Sequence, residues 1–119
     1  MRWDALPGIW TGELRFYPEE WGQSPAKLRL ELARAGEHYT GVLRVTFPEG
    51  NGEGPFPVRA ERSPEGTLRF TAPFGTNGQG PVRYEAVMDG NGRLVGTAAY
   101  EDPTTLDRML GSWTLEPAR

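Results

Sequence analysis

Four stretches, 18–25, 48–55, 74–81 and 101–107, hold no Lys or Arg, and three of them, all but 74–81, contain seven of the chain's 16 acidic residues, Glu19, Glu20, Glu49, Glu53, Glu101, Asp102 and Asp107. Carboxylates gathered without counter-charge focus a negative potential, which draws cations and repels fatty carboxylates and nucleic acids. Adjacent acids such as Glu101 and Asp102 could exchange protons with a substrate, but they sit in no motif that would orient one. Glu49, Asn51 and Glu53 alternate as oxygen ligands can, yet they match no complete calcium loop. A second group is aromatic: Trp10, Tyr39, Phe47, Phe56, Phe70, Tyr84, Tyr100 and Trp113 all fall on one parity of alternating segments, and Trp21 lies in the first acidic stretch. Such rings either line a cavity or fill a core. Tyr84 and Tyr100 bring hydroxyls that need partners, in a ligand or at a rim, and Trp21 would be a lid or a rim contact.

Other chemistries lack their residues. Cysteine is absent and His38 is the one histidine, which excludes disulfides, thiolate zinc sites, cysteine nucleophiles and multi-histidine metal centres. Gly50-Asn51-Gly52-Glu53-Gly54 and Gly75-Thr76-Asn77-Gly78-Gln79-Gly80 are rich in glycine but precede no Lys or helix, so neither is a phosphate loop. We therefore assign no catalytic residue and no metal. A net charge of −3 argues against a nucleic-acid partner. No apolar run nears the roughly 20 residues of a membrane span, and the first residues lack the apolar core of a signal peptide, so the expectation is a cytoplasmic chain with no membrane partner. Of the 13 basic residues 12 are Arg, a bias that a thermophile and a GC-rich genome would both produce.

What must position these residues is a set of strands. With 119 residues, 16 Gly and 11 Pro, the chain is expected to be one turn-rich domain spanning 1–119. Apolar and polar residues alternate with period two in eight runs, 8–17, 26–34, 39–47, 56–62, 67–73, 82–88, 93–100 and 108–115. Leu28, Leu30 and Leu32 mark the dry face of the second run, and Lys27, Arg29 and Glu31 its wet face. Eight one-sided strands with short connections close best into an antiparallel up-and-down (meander) β-barrel, which leaves no free edge. A two-sheet sandwich is the alternative, but its crossovers need a connection far longer than any here. Gly12, Gly41, Gly96 and Gly111 fall inside strands, where closure requires bends. Tight connections at 35–38, 63–66 and 89–92 alternate with the four acidic or glycine-rich ones. The long connections thus share one end, a mouth, and the tight turns share the other, a base.

The outward faces differ around the barrel. Charge recurs on the first six strands, whereas Val95, Thr97, Ala99, Leu110, Ser112 and Thr114 of the last two, with Val87 beside them, form an uncharged and largely β-branched wall. Surfaces depleted in charge suit interfaces, so a homodimer packed through strands seven and eight is expected, its two-fold symmetry placing the same patch on both copies. An ordinary Thr-rich sheet surface is the plainer reading.

Gly8-Ile9-Trp10-Thr11-Gly12 and Gly111-Ser112-Trp113 resemble the Gly-x-Trp signatures of the calycins, the lipocalin, fatty-acid-binding and avidin barrels. Thr40-Gly41-Val42-Leu43 and the Gly-x-Leu-x-Gly-Thr of 92–97 look most like small streptavidin-like bacterial domains of unknown role. The resemblance implies an eight-stranded meander around a small apolar ligand, with Trp10 plugging the base. The polar biotin contacts of avidins find no counterparts residue by residue. The first-strand motif is also similar to nitrobindin-like haem barrels, which hold iron through a histidine. His38 falls in a turn at the base, so no cofactor is expected. Taken together, these features read as a lipocalin-like, non-enzymatic binding barrel for a small apolar or amphipathic, neutral to cationic molecule. The alternative is a non-enzymatic interaction module with a filled core.

Overall fold

A computed structural model describes residues 6–16, 25–47, 50, 52–73, 81–100 and 109–118. Eight strands, β1 (Gly8–Phe16), β2 (Ala26–Ala35), β3 (His38–Thr46), β4 (Gly52–Arg62), β5 (Thr67–Pro73), β6 (Pro81–Met88), β7 (Leu94–Tyr100) and β8 (Met109–Pro117), form a closed antiparallel barrel in meander order. The ring closes where β1 pairs β8, Leu14 opposite Trp113 and Gly12 opposite Leu115. The expected all-β meander is therefore the fold. The seam between β4 and β5 is the thinnest, with only Glu61↔Arg69 and Arg62↔Leu68 in register.

Alternation sorts the side chains. Trp10 and Leu14 of β1, Leu28, Leu30 and Leu32 of β2, Leu43 and Val45 of β3, and Trp113 and Leu115 of β8 all point inward and are buried. Lys27, Arg29, Arg44, Arg59 and Arg69, on the other parity, are exposed. Burying each large aliphatic side chain contributes about 1.5–3 kcal/mol, so this parity fixes the register against a one-residue slip.

Closing so narrow a sheet bends strands until neighbouring backbones nearly touch. A Cβ added to Gly41 would sit 1.6 Å from the Glu31 carbonyl oxygen, one at Gly12 would sit 1.8 Å from that of Thr114, and one at Gly96 would sit 1.9 Å from that of Glu85. No side chain fits there, and each site is a corner of the barrel.

Two irregularities depart from strict alternation. Leu43 faces Phe56 but Val45 faces Glu53, so β4 carries one extra residue at Gly54-Pro55, and Gly54 adopts a φ of 103°. The bulge lets β4 begin at Gly52, four residues before the expected start, and it moves Glu53 from the expected loop onto a strand opposite Val45. In β8, Ala98 faces Gly111 while Ala99 faces Met109, which leaves Leu110 as the extra residue.

The base is fastened by polar turns. Asp89 Oδ1 accepts from the Asn91 and Arg93 amides at 2.8 and 2.9 Å, and Oδ2 accepts from Arg93 Nε at 2.9 Å. In the preceding base turn the Thr67 amide donates to Ser63 Oγ at 3.1 Å. The Arg93 amide, more than any other group, holds the Asp89 carboxyl below its usual range.

Two outcomes test these devices. Gly41→Ala should cost about 2–3 kcal/mol in urea unfolding, as overpacking does, whereas Gly90→Ala, in open space, should stay within about 0.5 kcal/mol. Because its folded pKa is depressed, Asp89 adds stability that is present above about pH 4 and is lost as pH falls through the folded value. Asp89→Asn should therefore flatten the acid limb of a stability–pH profile, read by circular dichroism between about pH 4 and pH 2.

Candidate functional site

The interior is the site that the fold builds. Trp10 is buried at the base end of β1 and donates its Nε1–H to the Leu6 carbonyl at 2.8 Å. Leu6, fully buried in the segment leading into β1, closes that end beneath the indole. Trp10 thus lies at the base end, the position that the resemblance to the calycins implies for it. Tyr39 is buried at the base end of β3, opposite Ala60.

Midway along the barrel three rings meet. Phe70 of β5 and Tyr84 of β6 are register partners and stack with centroids 4.9 Å apart at 11°. Trp113 of β8 meets both edge-on, at 6.0 Å from Phe70 and 5.9 Å from Tyr84. Offset stacking and edge contacts of this kind add about 0.5–1.5 kcal/mol per pair beyond burial. The register explains how the indole reaches them: Trp113 lies opposite Gly96, where there is no side chain, and its Nε1 donates to the Thr97 carbonyl across β7 at 2.8 Å. Ala98 and Ala86, which flank Tyr84 and Gly96 in the register, leave the rings further room. Alternation placed all three inward. It could not show that they touch, because contact between β5, β6 and β8 depends on register and corners.

Phe56 is half-buried opposite Leu43, just after the β4 bulge, and Phe47 is half-buried where β3 ends. Tyr100 pairs with Val82 at the mouth end of β7, with its side chain outside the described residues. Trp21, Glu49, Glu101 and Asp102 also lie outside them, as does the Glu53 side chain. His38 begins β3 at the base, opposite Ala35.

The lining is apolar: among the described residues no charged or non-aromatic polar side chain is buried. The polar atoms left inside are indole and phenol groups, and both indole N–H groups are spent on backbone carbonyls. Such a lining suits an apolar or amphipathic guest, since an ion brought in would forfeit its hydration without a counter-charge. Among the described residues no three of His, Asp or Glu gather as a metal would require. Among the described residues, the carboxyls held below their usual range lie in base turns and not in the interior: Glu65, exposed, chiefly through its own amide, and Asp89, half-buried, through that of Arg93.

A closed eight-stranded antiparallel barrel with an apolar interior is thus the class that the geometry defines. The chain is similar to a solved structure described as a redesigned beta barrel, mFAP1, bound to DFHBI, with a TM-score of 0.69 over 93% of this chain and 94% of that one at 18% identity. That likeness shows the shared fold. No family model matches the sequence, and no curated protein matches it.

Proposed function

We propose that the barrel is a lipocalin-like, non-enzymatic carrier or sensor of a small apolar or amphipathic molecule that enters at the loop-rich mouth. The observation that carries this reading is the apolar interior around Phe70, Tyr84 and Trp113, next to the small residues Gly96 and Ala98. The solved barrel of similar fold holds DFHBI, which supports the reading by analogy of architecture. The run of acids without basic residues at 18–25, 48–55 and 101–107 would favour neutral to cationic guests.

A second reading is an interaction module whose filled core only supports its wall. It is favoured by the mutual packing of the three rings and by Val87 and Val95, register partners on β6 and β7 that are 51% and 39% exposed. Thr97 beside them is exposed, while Ala99, Ser112 and Thr114 are half-buried. Leu110, at the β8 bulge, has its side chain outside the described residues. In this reading the wall pairs with a second copy.

Under the first reading, native mass spectrometry of freshly purified protein shows a co-purifying small molecule. A guest at 100 times its Kd raises stability by about 2.7 kcal/mol, or roughly 10 °C in Tm. Neutralising Glu49, Glu53, Glu101 and Asp102 together weakens cationic guests while sparing neutral ones. An empty mass, with neither tryptophan fluorescence nor Tm responding to apolar dyes, overturns it. For the dimer, light scattering at tens of micromolar should give twice the chain mass, and Val87→Arg with Val95→Arg should halve it without loss of β circular dichroism. A monomeric parent protein ends that proposal.

A further inference from the structure

The outer wall of β1, β2 and β3 carries a feature that a solvated charged face does not require. Elsewhere on the described wall, arginines have carboxylates beside them: Arg15 with Glu13 at 3.6 Å, Arg59 with Glu61 at 3.3 Å, and Arg69 and Arg83 with Glu85 at 2.7 and 3.5 Å. Lys27 and Arg44 have no ion pair among the described residues. Arg44 is instead the register partner of Arg29, and like charges directly opposite on a sheet are unfavourable. Relief from the other side is missing too, because the bulge in β4 leaves Arg44 with no register partner there. Arg29 shares its charge with Glu31 at 3.3 Å.

These cations border a depression of about 430 Å³ in the wall, whose lining includes Thr11 and Thr46 and, from the strands themselves, Leu28 and the corner residue Gly12. The rim carries three positive charges and one negative, Glu13, which is the register partner of Lys27 and lies 3.6 Å from Arg15. Two threonine hydroxyls add neutral donors.

We propose that this depression is a site for a phosphate dianion, free or as a small phosphomonoester. The Arg44 guanidinium offers two parallel N–H donors to two phosphate oxygens, Lys27 contributes a point charge from the next row, and Thr11 and Thr46 donate hydroxyls at the edges. An occupied site removes the Arg29–Arg44 repulsion, so anion and wall stabilise each other. The site lies outside the barrel and is independent of the guest proposed for the interior.

The test is an amide NMR titration of the whole chain at fixed ionic strength with inorganic phosphate, glycerol phosphate and chloride. Saturable shifts confined to Thr11, Lys27, Arg29, Arg44 and Thr46 with either phosphate, and not with chloride, support the site. A larger affinity for glycerol phosphate assigns a phosphomonoester, and equal affinities assign free phosphate. Arg44→Gln should weaken binding tenfold or more, while Arg59→Gln, on the far side of the bulge, should leave it unchanged. Arg44 lies on the exposed face, so its variant should keep the parent circular dichroism spectrum. Non-saturable shifts, an equal response to chloride, or unchanged affinity in Arg44→Gln overturn the proposal.

Discussion

The barrel depends on backbone meeting backbone at its corners. Eight strands make a cylinder so narrow that the strands must bend where Gly12, Gly41 and Gly96 stand, with a neighbouring carbonyl less than 2 Å from where a Cβ would be. Other features follow from these corners. Gly96 leaves the gap through which the Trp113 indole crosses β7, and Gly12 is among the residues that line the outer depression. Glycine in a strand sacrifices about 0.5–1 kcal/mol of conformational entropy, a modest cost against losing the seam between β1 and β8.

Inside, polarity is rationed. An indole N–H buried without an acceptor would cost about 1–3 kcal/mol. Among the described residues each buried indole avoids this by donating to a main-chain carbonyl, Trp10 to Leu6 and Trp113 to Thr97. Those carbonyls in turn orient the rings: Trp10 is held against the segment that closes the base, and Trp113 is turned edge-on to Phe70 and Tyr84. The same hydrogen bonds that make the indoles tolerable in the core therefore set the shape of the interior.

Much of this was legible in the residues because the period of two is local. Lys27 to Leu32 alone shows which face is wet, and the lengths of the connections gave the meander and its two ends. What escaped is non-local. The β4 bulge exists because Val45 pairs with Glu53 across two strands, and nothing between Pro48 and Pro55 announces that Gly52 already belongs to a strand. Alternation alone therefore leaves Glu53 among the loop acids. Similarly, alternation could list Phe70, Tyr84 and Trp113 as inward but not assemble them, since their contact depends on three registers at once. The pairing of Arg29 with Arg44 was hidden for the same reason: each residue looks like an ordinary wet-face charge until β2 and β3 are aligned.

The two ends of the barrel carry different burdens. At the base the turns are short, and Asp89 and Ser63 bind backbone amides with their side chains, so strand order and register are set there by local contacts. The β4–β5 seam fits this division, for its two register pairs lie beside the base turn. The charged wall adds little to stability, because exposed ion pairs such as Arg59 with Glu61 contribute about 0–1 kcal/mol. Closure thus rests on the base turns, the corners and the apolar interior. The mouth connections can then vary in length and charge at small cost to the fold, since loop-closure entropy grows only slowly with length. Connections carried on a scaffold whose other end is fixed are where recognition can change without refolding, and in this chain the stretches 18–25, 48–55 and 101–107, which lead from strand to strand opposite the base turns, hold acids and no Lys or Arg.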